Sequence, residues 1–552
     1  MIREAAPQQP GCNIASHLPA MARLQPHRRA VVAPAGRDAQ GRVTWSHLTF
    51  AQLDQRSDAI ARGLRRVGVA RGTRTVLLVK PSLDFFALTF ALFKLGAVIV
   101  LIDPGIGRKA LVRCLDEVEP EAFVGIPAAH VARLLFRKPF RKVHTLVTVG
   151  RKLWGGHTLE DLVDPGPFEM APTTPDEVAA ILFTSGSTGI PKGAVYTHGI
   201  FDAQVRLIRA LYGIEPGEID LPTFPLFALF DPALGMTAIL PDMDARFPAR
   251  ADPARLLEAI TDHGVTNMFG SPALLDNLSR HCVARGLRLP TLRRVLSAGA
   301  PVRSDVLART AALLDAPAQV FTPFGATESL PVCSIGSEEV LRETAAGTAA
   351  GKGICVGRPA PEMLVRIIHT SDEAIERWSD ELLVPRGTVG EITVRGPVVT
   401  PGYFARPEQT RLAKIDDGGQ VVHRMGDLGW EDEEGRIWMC GRKSHRVETA
   451  AGTLYPVMVE EVLNQHPAVL RTALVGVGPK GAQQPVLLVE PEAHASTACL
   501  VDELRTLAAG NAATAGIEDL RLHEKPFPVD VRHNAKIERE KLARAAAKRS
   551  AR

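Results

Sequence analysis

Residues 181–198 read ILFTSGSTGIPKGAVYTH, an apolar run that passes into a loop rich in glycine and hydroxyl side chains. Glycine lets backbone N–H groups turn toward an anion, the hydroxyls add further donors, and Lys192 adds positive charge. An ordinary surface loop seldom follows a short apolar strand so directly. The stretch therefore predicts a buried strand that ends in a phosphate-binding loop.

Two other glycine-containing loops are excluded by the same residues. A Walker loop would need glycine where Pro191 stands and a hydroxyl residue where Gly193 stands. A nucleophile elbow needs the pattern Gly-x-Ser-x-Gly, which the stretch from Gly186 to Gly189 does not contain.

Composition sets broad limits on the class of protein. A chain of 552 residues exceeds what one hydrophobic core usually supports, which predicts two or more domains. A net charge of +4 is too small to indicate nucleic-acid binding. The N-terminus has no apolar stretch typical of a signal peptide. The chain has seven cysteines without paired spacing, Cys12, Cys114, Cys282, Cys333, Cys355, Cys440 and Cys499. This odd number predicts neither a disulfide framework nor a zinc site, and it favours a location in the reducing cytoplasm.

Residues 85–102, FFALTFALFKLGAVIVLI, are apolar enough to resemble a membrane span. Lys94 and Gly96 divide the stretch, which favours a buried helix ending near Lys94 and then a core strand. We therefore expect no transmembrane segment here. At the other end of the chain, the basic tail KLARAAAKRSAR predicts a solvated helix.

The order of apolar patterns predicts an α/β fold with two domains. Helix and strand patterns alternate over residues 43–104, which is typical of layered α/β structure with largely parallel strands. From Gly387 short strands and turns predict a β-rich subdomain, and beyond Arg442 the patterns predict a small α+β unit. We place the domains at 1–441 and 442–552, with the boundary near Gly441 to His445. Further strands are predicted within 121–126, 142–149, 179–184, 265–270, 293–299 and 318–325.

Three later motifs carry chemistry of their own. PFGATES at 323–329 brings an aromatic ring, a hydroxyl and the carboxylate of Glu328 together at a strand end. HRMGDLGWEDEEGRIWMCGR at 423–442 sets Asp427 on a glycine-flanked turn, where a carboxylate can accept hydrogen bonds from two ribose hydroxyls. PVDVRHNAKIEREKLAR at 528–544 places Lys536 among basic residues. Taken alone, each motif would more often be a turn or a solvated helix start.

Together with the phosphate loop, these ordered motifs resemble the adenylate-forming superfamily of acyl-CoA synthetases, peptide-synthetase adenylation domains and firefly luciferases. The resemblance covers about residues 13–545 and implies a large N-terminal domain with a small mobile C-terminal lid. It implies ATP and Mg²⁺, with Phe324 on adenine, Thr327 near the α-phosphate and Asp427 on ribose. Catalytic roles fall to Lys536, Lys192, Glu328 and Thr184, and metal binding to Glu328 and Thr184. The nucleotide and the acyl adenylate would be held by Thr184, Ser185, Gly186, Ser187, Thr188, Gly189, Lys192, Ser297, Gly299, Ala300, Phe324, Gly325, Ala326, Thr327, Asp427, Arg442 and Lys536.

The sequence departs from the superfamily pattern at several positions. Phe324 stands where tyrosine is usual, and Ala535 where glycine is usual. Ala228 replaces a histidine or aromatic residue beside the acyl carbonyl, and Ser444 stands at the hinge where Asp or Lys is common. Ser271 has two open interpretations, as a residue of the acyl-adenylate pocket and as a helix cap before Pro272.

Four segments are most similar in sequence to the β-lactone synthetases of bacterial long-chain olefin biosynthesis, namely FALFDPALG, TPFGATESLPV, GRKSHRVET and RHNAKIEREKLARAA. That resemblance implies a long-chain 2-alkyl-3-hydroxy acid as substrate, whose own hydroxyl attacks the acyl adenylate, and a possible assembly with other enzymes of that pathway. The sequence identifies no base for the hydroxyl. Alternatives are a long-chain fatty acyl-CoA synthetase, a fatty acyl-AMP ligase and a non-catalytic scaffold, against which the retained Lys192, Glu328, Asp427, Arg442 and Lys536 argue.

Overall fold

The computed structural model describes residues 11–102, 106–152, 155–184, 191–244, 246–493, 495–529 and 537–550. Side chains are not described at Thr184, Pro225, Leu226, Arg549 and Ser550.

The phosphate-loop motif belongs to a mostly parallel sheet covered by helices. Its strand order is β7-β6-β5-β3-β4-β8-β9, and the last pair, which flanks the loop, is antiparallel. The elements of this part of the chain are α1 (His17–Leu24), β1 (Arg29–Arg37), β2 (Val43–Thr49), α2 (Phe50–Arg66), β3 (Arg74–Leu78), α3 (Leu83–Leu95), β4 (Val98–Ile102), α4 (Arg108–Val118), β5 (Ala122–Gly125), α5 (Pro127–Leu135), β6 (Thr145–Thr148), β7 (His157–Thr158), α6 (Leu159–Leu162), β8 (Val178–Thr184), β9 (Lys192–Thr197) and α7 (His198–Tyr212).

The apolar stretch at 85–102 forms helix α3 and core strand β4, as its pattern predicts. Helix α3 ends at Gly96, whose φ of +68° favours glycine. Lys94 is buried, and its ammonium lies 2.6 Å from a carboxylate oxygen of both Asp54 and Asp58. Within the described residues, no helix has both the length and the apolar character needed to cross a membrane.

A second sheet has the order β14-β13-β12-β10-β11-β1-β2, parallel except at β2. Because β10, β12, β13 and β14 are parallel, their carboxyl ends share one edge, where ligands of open α/β sheets bind. The added elements are β10 (Ile219–Pro222), α8 (Pro225–Ala228), α9 (Asp231–Leu234), β11 (Thr237–Ile239), α10 (Pro253–His263), β12 (Asn267–Phe269), α11 (Pro272–Ala284), β13 (Arg294–Leu296), α12 (Ser304–Ala311) and β14 (Gln319–Phe321).

An antiparallel sheet of order β15-β16-β17-β22-β21-β19-β18, with β20 beside β21, forms the β-rich part. It begins at Phe324, earlier than the predicted start at Gly387. The strand predicted over 318–325 is divided between two sheets, because Pro323 has no N–H to continue the ladder. The elements are β15 (Phe324–Ala326), β16 (Ser329–Ser334), α13 (Ser337–Glu339), α14 (Ala345–Ala349), β17 (Ile354–Pro359), β18 (Leu364–Ile368), β19 (Gly390–Arg395), α15 (Pro407–Ala413), β20 (Lys414–Asp417), β21 (Gln420–Glu431) and β22 (Ile437–Arg442).

A 3₁₀ turn over Lys443–His445 follows β22 and leads into the last part of the chain. There β25, β26 and β27 form a sheet, and α18 buries Leu542 and Ala546 against it. The basic tail was predicted to be a solvated helix, but one face of the helix is buried. The α/β fold class is confirmed, and the domain boundary near Ser444 stays a prediction. The elements are β23 (Val447–Thr449), β24 (Gly452–Leu454), α16 (Pro456–Leu463), β25 (Val469–Val477), β26 (Gln484–Pro491), α17 (Leu500–Ala509), β27 (Asp519–Leu522) and α18 (Arg539–Ser550).

Candidate active site

The two strands that flank the phosphate-loop motif bring Lys192 to a fixed place. Thr184 of β8 is paired with Lys192 of β9, so the two residues lie opposite each other at the end of this strand pair. The Lys192 ammonium lies 4.9 Å from the centroid of the Tyr403 ring, within the range of a cation–π contact. The side chain of Thr184 is not described. Six further predicted ligands lie outside the described residues, namely Ser185, Gly186, Ser187, Thr188, Gly189 and Lys536.

Glu328 is held from both its side chain and its backbone. The Tyr403 hydroxyl donates a hydrogen bond of 2.5 Å to Glu328 Oε1. The backbone N–H and the hydroxyl of Thr400 donate to the Glu328 carbonyl at 2.9 and 3.1 Å. Lys414 Nζ donates in turn to the Thr400 hydroxyl at 3.3 Å. The carboxylate is therefore fixed in place by residues that follow it by more than seventy positions in the chain.

The surroundings of Glu328 keep its carboxylate ionised. Burial acts to raise its pKa, but the Tyr403 hydrogen bond and the positive charge of Lys414 lower that pKa below its usual value. Burial lowers the pKa of His423 to about 3 and that of Lys414 to about 7. At pH 7 the His423 imidazole is therefore neutral, and the Lys414 side chain is protonated in part of the molecules, opposite an anionic Glu328.

The segment before Glu328 makes a tight turn between β15 and β16. A Cβ atom on Gly325 would lie 2.6 Å from Leu330 Cδ1 and 2.7 Å from the Ser329 carbonyl oxygen, so this position requires glycine. Half-buried Phe324 lines the cavity described below. The Tyr196 hydroxyl donates a 2.5 Å hydrogen bond to the Thr327 carbonyl. The turn thus directs Phe324 and Glu328 toward one space.

Asp427 and Arg442 are cross-strand neighbours in β21 and β22. Arg442 Nε lies 3.2 Å from Asp427 Oδ1, and Arg442 Nη1 donates to the Met425 carbonyl at 3.2 Å. The Asp427 side chain is only 8% exposed and that of Arg442 is 35% exposed. This geometry leaves a carboxylate facing the cavity, as a ligand with two adjacent hydroxyls requires.

The segment after β13 supplies Ser297, Gly299 and Ala300. The Ser297 N–H donates to the Phe321 carbonyl at 2.9 Å, while its buried hydroxyl has no hydrogen-bond partner among the described residues. Gly299 has a φ of +92°, which favours glycine. The Ser271 hydroxyl accepts a 3.3 Å hydrogen bond from the Leu274 N–H and so caps the start of α11. Ser271 also lines the cavity described below, and its place in an acyl-adenylate pocket stays a prediction.

These segments surround one cavity of about 1730 Å³. Its volume exceeds the roughly 300–1,000 Å³ of most small-molecule sites, so it has room for a nucleotide and a second large ligand. The predicted site residues that line it are Lys192, Ser297, Gly299, Ala300, Phe324, Gly325, Ala326, Thr327, Glu328, Asp427 and Arg442.

Part of the cavity wall is aromatic. Phe227 and Phe269 have ring centroids 4.4 Å apart, and Phe224 lies 5.3 Å from Phe227. Ala228 is fully buried and is not among the lining residues, so Phe227 rather than Ala228 forms this wall. Further apolar lining comes from Phe90, Phe93, Leu101, Leu182, Phe201, Phe230 and Ala233. The cavity therefore joins a charged compartment to an apolar one.

Several residues of the site were not singled out from the sequence. Tyr403 does not belong to any motif found in the sequence. It reaches the site because residues 402–404 pair with β9 through backbone hydrogen bonds. The Val195 N–H donates to the Gly402 carbonyl, and the Phe404 N–H donates to the Gly193 carbonyl. Lys414 and His423 lie on adjacent strands β20 and β21. Their spacing is ordinary for a hairpin, so no pattern in the sequence indicates their proximity to Glu328.

The donors present fit a Mg²⁺ ion that takes few ligands from the protein. Mg²⁺ usually takes one or two carboxylates and completes its shell with phosphates and water. Among the described residues no group of three or more His, Cys, Asp or Glu side chains forms a metal cage. Glu328 supplies one ionised carboxylate at the cavity wall, which matches this mode of binding.

A sequence profile of the family described as AMP-binding enzyme matches residues 18–404. Two curated relatives named olefin beta-lactone synthetase are 52% identical to this chain. The protein of Stenotrophomonas maltophilia (strain K279a) aligns over 545 residues, which is 96% of this chain and 97% of that protein. The protein of Xanthomonas campestris pv. campestris aligns over 544 residues with the same two shares.

Solved structures show the same fold. The amide bond synthetase McbA from Marinactinospora thermotolerans superposes with a TM-score of 0.80 over 97% of this chain and 99% of that chain. At 23% sequence identity this likeness concerns the fold alone. Its extent includes both the large N-terminal part and the small C-terminal part.

Proposed function

Because this chain belongs to the AMP-binding enzyme family, we propose that it is an ATP-dependent β-lactone synthetase. Its substrate would be a long-chain 2-alkyl-3-hydroxy acid, and its products a β-lactone, AMP and diphosphate. The observation that carries this proposal is the single cavity in which Lys192, Glu328 and Asp427 adjoin an aromatic compartment. The 52% identity to two olefin beta-lactone synthetases supports the lactone as product.

In the first half-reaction, the substrate carboxylate attacks the α-phosphorus of ATP and diphosphate leaves. Mg²⁺, when bound, supplies charge that neutralises the phosphates. Glu328 would hold the ion, with Thr184 as its predicted second ligand. Asp427 would accept hydrogen bonds from the ribose, Arg442 would contact the nucleotide, and Phe324 would stack on adenine. Lys192 would bind phosphate oxygens.

In the second half-reaction, the β-hydroxyl oxygen attacks the acyl carbonyl and forms the ester bond of a four-membered ring. The acyl–phosphate C–O bond breaks, AMP leaves with its electron pair, and the hydroxyl proton passes to solvent. Nucleophile and electrophile belong to one molecule, so the site mainly has to orient the substrate and exclude water. No acceptor thiol is required.

The small C-terminal part would act as a lid that turns about the hinge near Ser444 and delivers Lys536 to the reacting carboxylate. All seven cysteines are free thiols, which supports the proposed cytoplasmic location. We also propose that the enzyme works in an assembly with other olefin-pathway enzymes.

The test is an incubation with MgATP and a synthetic long-chain 2-alkyl-3-hydroxy acid, with and without CoA. Products are analysed by NMR or liquid chromatography at low temperature, because heating in a gas chromatograph could convert a lactone to an alkene. A β-lactone formed without CoA, together with AMP, is the expected result. A thioester formed only with CoA would make the protein an acyl-CoA synthetase, and an acyl adenylate that accumulates would make it an acyl-AMP ligase. No ATP–pyrophosphate exchange with any acid would point to a scaffold.

A further inference from the structure

Gln204 of α7 carries a buried hydrogen-bond acceptor that the folded chain does not use. The residue is 3% exposed and lines the cavity. Its Nε2 donates a 2.8 Å hydrogen bond to the Leu330 carbonyl. Its Oε1 has no hydrogen-bond partner among the described residues. A buried acceptor left in this state is costly, so it points to a donor on the ligand.

The orientation of the amide is set by its neighbours. A backbone carbonyl accepts only, so the group facing the Leu330 carbonyl has to be the NH₂ end of Gln204. The Tyr196 hydroxyl also interacts with the Gln204 side chain, but its single proton is donated to the Thr327 carbonyl at 2.5 Å. Neither neighbour has a proton for Oε1, which therefore remains an acceptor without a donor among the described residues.

Gln204 is close to residues of both the charged and the apolar parts of the cavity wall. Through Tyr196 it adjoins Thr327, next to the Glu328 carboxylate. On the same helix, Phe201 stacks on Tyr196 with ring centroids 4.9 Å apart and belongs to the apolar lining. An acid bound with its carboxyl group near Glu328 and its chains in the apolar compartment would place its second and third carbons here.

We propose that Gln204 Oε1 forms a subsite that accepts a hydrogen bond from the β-hydroxyl of the substrate. The inference rests on the proposed function and names the residue that distinguishes a 3-hydroxy acid from an acid without that hydroxyl. A neutral amide does not take up the proton, so Gln204 acts by orienting the hydroxyl oxygen toward the acyl carbonyl.

Among the described residues that line this cavity, Ser297 carries a buried hydroxyl that also has no hydrogen-bond partner. A hydroxyl rotates and can either donate or accept, so it pairs with many ligand groups. The amide of Gln204 is held in one orientation and offers only an acceptor. A group with that property selects for a donor on the ligand, which is why we assign the β-hydroxyl to Gln204.

The first test uses the unaltered protein and two non-reacting mimics of the acyl adenylate. Both are acyl-sulfamoyl adenosines with the same 2-alkyl chain, and only one carries the 3-hydroxyl. Isothermal titration calorimetry should show that the hydroxylated mimic binds about 10-fold to 100-fold more tightly, since a ligand lacking the donor leaves the buried acceptor unpaired. Equal affinities would overturn the subsite.

The second test compares Gln204→Met with Thr89→Val. Thr89 also lines the cavity, but its hydroxyl already donates to the Phe85 carbonyl at 2.7 Å. We expect Gln204→Met to bring the affinity ratio of the two mimics close to one and Thr89→Val to keep it. A ratio unchanged in Gln204→Met, or lost in Ser297→Ala instead, would overturn the assignment.

These binding ratios separate the subsite from the proposed function. If the two mimics differ in affinity but no lactone forms, the subsite stands and the lactone proposal fails. If lactone forms although the mimics bind equally, the lactone proposal stands and the subsite fails. Should Gln204→Met fail to fold, the calorimetry on the unaltered protein together with Ser297→Ala still decides, because equal affinities in the former or loss of the ratio in the latter would overturn the assignment.

Discussion

A buried ion-pair network next to the turn at Lys443–His445 leads to a quantitative prediction. Glu391 of β19 is 1% exposed, and its Oε2 lies 2.6 Å from Nη2 of Arg424, which is 2% exposed. Its Oε1 lies 2.9 Å from Lys443 Nζ. Arg424 and Lys443 both donate to the Ser371 carbonyl, at 2.5 and 2.8 Å. One carboxylate therefore balances two cations between the antiparallel sheet and the turn.

The change Glu391→Gln keeps the shape of the side chain and removes this balance. Loss of one partner of a buried ion pair costs about 3–5 kcal/mol, because an uncompensated charge remains buried. Unfolding entropy is about 2.1 cal/mol/K per residue, which gives roughly 0.9 kcal/mol/K for a domain of about 440 residues. The melting temperature should therefore fall by about 3–5 °C.

Thermal unfolding followed by circular dichroism measures this shift, and Glu431→Gln is the matched control. Glu431 lies in β21 and pairs with Arg386 at 2.8 Å, but the Arg386 side chain is 58% exposed. Exposed pairs contribute roughly 0–1 kcal/mol, so the control should melt within about 1 °C of the unaltered protein. If Glu391→Gln lowers the melting temperature no more than Glu431→Gln does, the reasoning from burial is wrong.

Two further variants probe the nucleotide site and a buried carboxyl pair. Asp427→Asn removes the charge that Arg442 faces and that, in the proposed function, accepts hydrogen bonds from the ribose, so the KM for ATP in pyrophosphate exchange should rise about 10-fold to 100-fold, and an unchanged KM would contradict the ribose role. Burial raises the pKa of Asp220 to about 7, and the pKa of its hydrogen-bonded neighbour Asp231 also lies above its usual value. Since the folded state then binds a proton that the unfolded state releases above about pH 4, stability falls as pH rises toward 7. Asp220→Asn should therefore gain roughly 2–3 kcal/mol relative to the unaltered protein between pH 5 and pH 8 in urea unfolding, and a constant difference would refute the shift.

The strands were the part of the fold most open to prediction. Parallel strands covered on both faces are continuous apolar runs, and β5, β12 and β13 lie within the runs that predict them. The run at 318–325 was misleading, because its residues are apolar on both sides of Pro323 although they belong to different sheets. Hydrophobicity indicates that a residue is buried and carries no information on which sheet it joins.

The site was predictable where a motif is local and not where its parts are distant. Phe324 to Glu328 lie within one turn, so the sequence places them together. The Tyr403 hydroxyl reaches Glu328 across 75 positions, and the balance of Glu391 with two cations depends on the pairing of β19 with β21. Such contacts follow from strand register, which short-range spacing does not determine.

The shape of the cavity bears on the choice between an internal and an external acceptor. An external thiol needs an open path to the acyl carbonyl, whereas a β-hydroxyl arrives with the substrate and needs none. The cavity wall near Ser297 is occupied by Phe224, Phe227 and Phe269, whose ring centroids lie 4.4–6.4 Å apart. Packed rings exclude water, which would otherwise hydrolyse the acyl adenylate. An aromatic wall at this place therefore suits ring closure better than transfer to a second molecule.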